Sequence, residues 1–114
     1  MNNCIFCKII SGDIPCDKVY EDDKILAFND INPEAPVHFL VIPKKHMGSI
    51  KDLKEEDCSL LYHIIKKISD IAKDKGIDEK GYRIVNNIGN DGGQTVPHIH
   101  FHVLGGRELQ WPPG

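Results

Sequence analysis

Residues 98–104 read His98, Ile99, His100, Phe101, His102, Val103, Leu104, so three of the chain's six histidines occupy alternate positions. Successive side chains of an extended strand point to opposite faces, which would put the three imidazoles on one face about 7 Å apart and turn Ile99, Phe101 and Val103 toward a core. Two chemistries use such a row: metal ligation by neutral imidazoles, or attack by one imidazole on an electrophile while its neighbours orient and protonate. A merely solvated strand face would require three histidines to fall in one register by coincidence.

Working outward, apolar and alternating segments at 18–20, 25–28, 38–42, 82–85 and 98–104 read as five strands punctuated by Asp, Asn, Gly and Pro. Between the third and fourth, Leu60, Leu61, Ile64, Ile65, Ile68, Ile71 and Ala72 recur at helical spacing. Lys66, Lys67, Lys73 and Asp74 lie opposite, and Gly76 is placed to stop the helix, predicting one long amphipathic helix from 53 or 54 to 75. A short first helix is expected near 5–10. Strands with a helix between them give an α+β domain with a five-stranded antiparallel sheet.

With 114 residues and 40% hydrophobic content, the chain supports one domain and one core, residues 1–114. The longest strongly apolar stretch, 39–42, is far below the ~18 residues of a membrane span, and the first residues lack a signal peptide's pattern. A cytoplasmic protein with no membrane partner is expected. The net charge of −3, with Lys and Arg dispersed among Asp and Glu, offers no broad cationic surface for nucleic acid. Any anionic ligand must be held by local donors. The segment Gly89, Asn90, Asp91, Gly92, Gly93, Gln94, Thr95 can supply them. Its glycines permit positive φ and close backbone approach, and consecutive amides can form an anion nest. An ordinary tight loop is the competing reading. Cys4 and Cys7 have a CxxC spacing, which in a cytosolic chain favours metal or redox chemistry over a structural disulfide. Cys16 and Cys58 lack motif context.

The pattern at 98–104 is the signature of the histidine triad superfamily of nucleotide hydrolases and transferases. The glycine-bearing segment at 89–95 resembles that family's phosphate loop, and the stretch from Pro36 through His38 to His46 resembles its central strand. The ending, Leu104, Gly105, Gly106, Arg107 and then Trp111, Pro112, Pro113, Gly114, is similar to the branch of histidine triad nucleotide-binding (Hint) proteins. The resemblance runs from about Cys4 to Gly114.

It implies the five-stranded histidine triad fold, with His100 as the nucleophile that attacks the α-phosphorus of a nucleotide. His102 would donate to phosphate oxygens, His98 would fix the ring of His100 through its carbonyl, and His38 would complete the cluster. Asn87, Gly93, Thr95 and His102 would contact the phosphate or leaving group, with Gln94 as a further side-chain donor. Ile5, Phe6, Phe28, Asn29 and Ile31 map onto an apolar slot for a purine ring, and Asp30 onto the acid that accepts the ribose hydroxyls. By pattern alone, Phe28, Ile31 and His38 are plain core residues, and Asp30 could simply start the turn at Asn32 and Pro33. Metal-bearing relatives hold zinc with a cysteine pair and two histidines, which here are Cys4, Cys7, His46 and His98, in a structural role. A symmetric homodimer joined through sheet edges, each C-terminus near the other subunit's site, is also implied, and the lone Trp111 needs burial somewhere.

Three function classes follow. The leading one is a purine nucleoside phosphoramidase cleaving the P–N bond of a nucleoside monophosphate joined to an amine. The others are a dinucleoside polyphosphate hydrolase and a noncatalytic nucleotide-binding or scaffold protein. A metallohydrolase with His98, His100 and His102 all on one ion ranks below them, because three alternate residues on a strand do not readily converge.

Overall fold

Strand β3 (Val37–Pro43) is the centre of the molecule, and every residue in it from His38 onward is buried. The computed structural model describes residues 3–114. Its remaining elements are α1 (Ile5–Ser11), β1 (Lys18–Glu21), β2 (Ile25–Asn29), α2 (Cys58–Asp74), β4 (Tyr82–Val85) and β5 (Phe101–Gly105). All five strands form one antiparallel sheet in the order β1-β2-β3-β5-β4.

The alternation in β2, β3 and β5 divides the molecule into two sides. Ile25, Ala27, Phe39, Val41, Phe101 and Val103 point to one side and pack with Ile64, Ile68, Ile71 and Ala72 of α2. This is the larger core, and the apolar stripe of α2 closes it. The other side carries Leu26, Phe28, Leu40 and Ile42 with Phe6 of α1. His38 and His102 share this second side, because they pair with Leu104 and Leu40 respectively across the β3–β5 ladder.

Two boundaries differ from the pattern-based reading. The long helix begins at Cys58, preceded by single 3₁₀ turns at Ile50–Asp52 and Glu55–Asp57. Asp57 is the reason: its Oδ2 accepts from the Lys54 amide at 2.9 Å and its Oδ1 from Lys45 Nζ at 2.7 Å, so this buried carboxylate closes a local turn instead of extending the helix. The last strand begins at Phe101, not at residue 98, so His98 and His100 precede the ladder. Their segment is held from elsewhere, with the Ile99 amide donating to the Met47 carbonyl at 2.8 Å. Ile99 still faces the larger core, as expected from alternation.

Candidate active site and metal-ligand cluster

The three imidazoles of the row turn to three different neighbours. His98 is fully buried, and its Nε2–H donates to the Pro43 carbonyl at 2.8 Å. That bond leaves Nδ1 as the lone-pair nitrogen, and Nδ1 lies 3.3 Å from Cys4 Sγ, 3.7 Å from Cys7 Sγ and 3.0 Å from His46 Nδ1. Cys7 Sγ is 3.3 Å from His46 Nδ1. The CxxC spacing becomes the start of α1, where Cys4 is the N-cap residue and its sulfur accepts from the Cys7 amide. All four ligand atoms lie within 4.8 Å of one another. The edges of a tetrahedron with zinc–sulfur and zinc–nitrogen bonds of ordinary length run about 3.4–3.8 Å, so this donor set fits a four-coordinate Zn²⁺. A ligating imidazole whose second nitrogen donates to a backbone carbonyl is the usual outer-shell arrangement. Burial holds the His98 imidazole below its ordinary pKa, with the Pro43 carbonyl opposing and His46 and His100 adding to the depression.

His100, also buried, donates from Nδ1 to the carbonyl of His98 at 2.8 Å. A neutral imidazole carries one proton, so Nε2 keeps its lone pair and is the nitrogen chemically able to act as a nucleophile. The Phe6 ring stands edge-on to His100 with centroids 5.1 Å apart, and to Phe28 at 5.8 Å. One aromatic residue of α1 thus touches both the histidine and the apolar slot.

His102 is oriented by a relay that starts in the backbone. The Glu34 amide donates to His38 Nδ1 at 3.0 Å, so the proton of His38 sits on Nε2. His38 Nε2 is 3.0 Å from His102 Nδ1 and donates to it, which places the proton of His102 on Nε2. His102 therefore presents an N–H beside the Nε2 lone pair of His100, their ring centroids 5.1 Å apart. Asp30 Oδ2 stands 3.4 Å from His38 Nε2 and 4.0 Å from His102 Nδ1. Burial, then the neighbouring His100 and His38, push the His102 pKa down to about 4, against a smaller upward pull from Asp30. At neutral pH this N–H donor is uncharged. Asp30, His38 and His102 also form a compact donor group. The Glu34 bond argues against a cation there, since His38 would need lone pairs on both nitrogens.

The remaining expected site residues divide. Phe6 and Phe28 lie together in the smaller core, and Ile5, on α1, is 46% exposed. Ile31 is not a core residue: it is 89% exposed beyond the end of β2. Asn29 alternates away from Phe28 and donates to Asp17 Oδ2 at 2.9 Å, so its side chain lies off the slot. Asp30 does start the turn, with Oδ1 accepting from the Asn32 amide at 2.8 Å, while Oδ2 stays toward the histidines.

In the glycine-bearing loop, Gly89 and Gly93 have φ of +72° and +82°, and a Cβ on Gly92 would collide with the Ile88 carbonyl. Three of its amides are engaged internally: Gly93 with the Asn90 carbonyl, Gln94 with the Gly89 carbonyl, and Gly89 with Gln94 Oε1. Gln94 Nε2 donates to the carbonyls of Gly48 at 2.6 Å and Val96 at 3.0 Å. Gln94 thus braces the loop with its whole amide, and the donors left toward a ligand include the exposed Thr95 and the half-buried Asn87. A cleft of about 1040 Å³ is lined by Cys4, His46, Lys51, Lys54 and Thr95 among others, so it opens beside the Cys/His cluster and not over His100.

Sequence reasoning passed over two contributors. Asn86 Nδ2 donates to the His100 carbonyl at 2.9 Å, and the Glu34 amide fixes His38. A backbone donor leaves no residue-type signature, and Asn86 reads only as a polar residue after a strand.

The chain compares closely with known proteins. The family model described as scavenger mRNA decapping enzyme C-term binding matches residues 3–110. An uncharacterised HIT-like protein of Synechococcus elongatus is 53% identical over 110 residues, covering 96% of each chain. The crystal structure of a HIT family hydrolase from Legionella pneumophila superposes with a TM-score of 0.97 at 52% identity, covering 98% of this chain and all of that one. A histidine triad protein from Clostridium difficile superposes with a TM-score of 0.93 at 53% identity over 96% of each chain. With three rings held by different neighbours beside a five-stranded sheet and likeness along nearly its whole length, the chain belongs to the histidine triad (HIT) superfamily.

Proposed function

We propose that this protein is a purine nucleoside phosphoramidase of the Hint branch, working through a nucleotidyl-histidine intermediate on His100. The observation that carries the reading is the 2.8 Å bond from His100 Nδ1 to the His98 carbonyl, which leaves Nε2 unprotonated and aimed as a nucleophile. Nε2 attacks the α-phosphorus, a P–N(His) bond forms, and the P–N bond to the amine breaks, the departing nitrogen taking a proton from solvent that the later attack of water returns. Water then cleaves the nucleotidyl-histidine, releasing nucleoside monophosphate and restoring His100. Charge building on the nonbridging oxygens is met by the Nε2–H of His102, with Asn87, Gly93 and Thr95 as loop contacts. Phe6, Phe28 and Ile5 would hold the purine, and Asp30 the ribose. The ending at Trp111 to Gly114 favours phosphoramidate over dinucleoside polyphosphate.

Cys4, Cys7, His46 and His98 would hold a structural zinc, which when bound would tie the start of α1 to the segment carrying the triad. His98 is then committed through its ring, and only its carbonyl serves His100, so the hydrolysis needs no metal. A homodimer through the outer strand β4 is consistent with Ile84 lying 39% exposed there, and with Trp111 lying 80% exposed on the tail. Among the described residues no helix is long and apolar enough to cross a membrane, and we place the protein in the cytoplasm.

The test is release of adenosine monophosphate from a lysine-linked adenosine phosphoramidate, with and without a strong chelator, circular dichroism reporting the fold. Turnover that survives chelation and disappears in His100→Ala, with nucleotide binding retained, is expected. Turnover by His100→Ala would overturn the assignment, and wild-type inactivity on this substrate would bring the polyphosphate and noncatalytic readings forward.

A further inference from the structure

We infer that Asn86 is a positioning residue for the nucleophile, acting as a side-chain substitute for the ladder rung that His100 lacks. The inference rests on His100 as nucleophile and concerns a residue that touches neither the phosphate loop's ligand side nor the triad rings. On the side of β4 the ladder ends at the pair Val85 and His102, and on the side of β3 at Val41 and Phe101. The His100 carbonyl lies beyond both ends, in a buried place where an unpaired carbonyl is costly. Asn86, the first residue past β4, reaches across with its amide, and Nδ2 donates to that carbonyl at 2.9 Å.

The same side chain leaves Oδ1 buried, and it is the only buried side-chain polar atom without a hydrogen-bond partner among the described residues. Turning the amide over would relieve nothing, because it would set Oδ1 against the carbonyl oxygen. What the amide adds is a second hold on His100. The ring is pinned through Nδ1 to His98, and the backbone through the carbonyl to Asn86, so Nε2 has a fixed position in front of the phosphorus. Nucleotide contacts on Phe6, Phe28 and Asp30 do not pass through this bond.

The variants Asn86→Leu, which removes donor and orphan together, and Asn86→Asp, which keeps the shape but loses the donor, test it. Both are expected to lower kcat about tenfold or more, because small displacements of a reacting group are costly, with the Kd for adenosine monophosphate unchanged within about twofold. Asn86→Leu removes the Oδ1 orphan but leaves the His100 carbonyl unpaired, so its melting temperature is expected to stay close to the wild-type value. The ring Nδ1–H of His100, read by proton NMR without substrate, is expected to be sharp in wild type and broadened in both variants. Wild-type kcat in either variant overturns the inference, as does an Asn86→Leu protein that loses stability and nucleotide binding together with kcat. Absence of turnover in wild type would reject the phosphoramidase reading instead; the NMR signal then decides alone, and a sharp Nδ1–H in both variants overturns the clamp.

Discussion

Replacing His38 by leucine separates the orienting of His102 from the folding of the strand that carries it. The relay gives His102 its Nε2–H only because His38 donates to Nδ1 at 3.0 Å, and His38 donates only because the Glu34 amide occupies its own Nδ1. Without that donor, His102 divides its proton between its two nitrogens. A neutral hydrogen bond of this kind is worth ~1 kcal/mol net, whereas a donor aimed at charge developing in a transition state is worth about 3–4 kcal/mol. The substitution removes the second only from the fraction of molecules with the other tautomer, so the expected loss is the lost tautomer preference, about 1 kcal/mol or ~5-fold in kcat. Folding is spared, because Glu34 is exposed and its amide turns to water, while leucine suits a position 6% exposed and paired with Leu104. The assay is release of adenosine monophosphate from the lysine-linked phosphoramidate, with calorimetry for the product's Kd. His38→Gln, whose amide nitrogen reaches nearly as far as the imidazole Nε2, is expected to recover most of the rate. A leucine variant at wild-type kcat, or a glutamine variant as impaired as leucine, would refute the relay.

The other expectations are briefer. Metal analysis of protein purified without chelator should find about one zinc per chain in wild type and a large loss in Cys4→Ser, whose stability falls by several kcal/mol; equal zinc in both removes the site. Asp30→Ala is expected to weaken binding of a ribonucleotide about tenfold, the worth of one charge-assisted hydrogen bond, and to leave its deoxy counterpart little changed, whereas equal losses would place Asp30 off the ribose. With the His102 pKa at about 4 in the folded protein and an ordinary 6.5 unfolded, the unfolded chain binds the extra proton between those values. The native state therefore loses stability as pH falls from about 6.5 to about 4, with no further loss from this group below, and His102→Gln flattens that part of the denaturation profile. Identical slopes for both proteins would count against a half-buried, neutral His102.

What the amino-acid sequence makes legible is periodicity. The continuously apolar run from Phe39 to Ile42 announces β3, a strand buried on both faces, and the helical recurrence from Leu60 to Ala72 announces α2, whose apolar set faces one core. The start of β5 was misread because His98 and His100 alternate like strand residues but are held by Pro43, Met47 and Asn86, contacts that exist only after folding. The same limit hides the 3₁₀ turns, which a single buried carboxylate decides. Ile31 is apolar yet exposed, since pattern alone does not say where a strand leaves the sheet. Resemblance identified which residues meet, but not that Gln94 is spent on bracing its own loop.

Strand β3 has one further consequence. Phe39 and Val41 serve the helix-covered core, while His38 and Leu40 beside them serve the opposite side, so neighbouring codons answer to different demands. A duplicated copy of this chain can exchange residues at even-numbered positions of β3 and repack only the smaller core beside Phe6 and Phe28, leaving the helix-covered core undisturbed. The odd-numbered positions have no such freedom. Divergence of substrate ahead of divergence of architecture is what such a strand permits, and a saturation library over 37–43, sorted once for abundance and once for turnover, would display it as two interleaved combs.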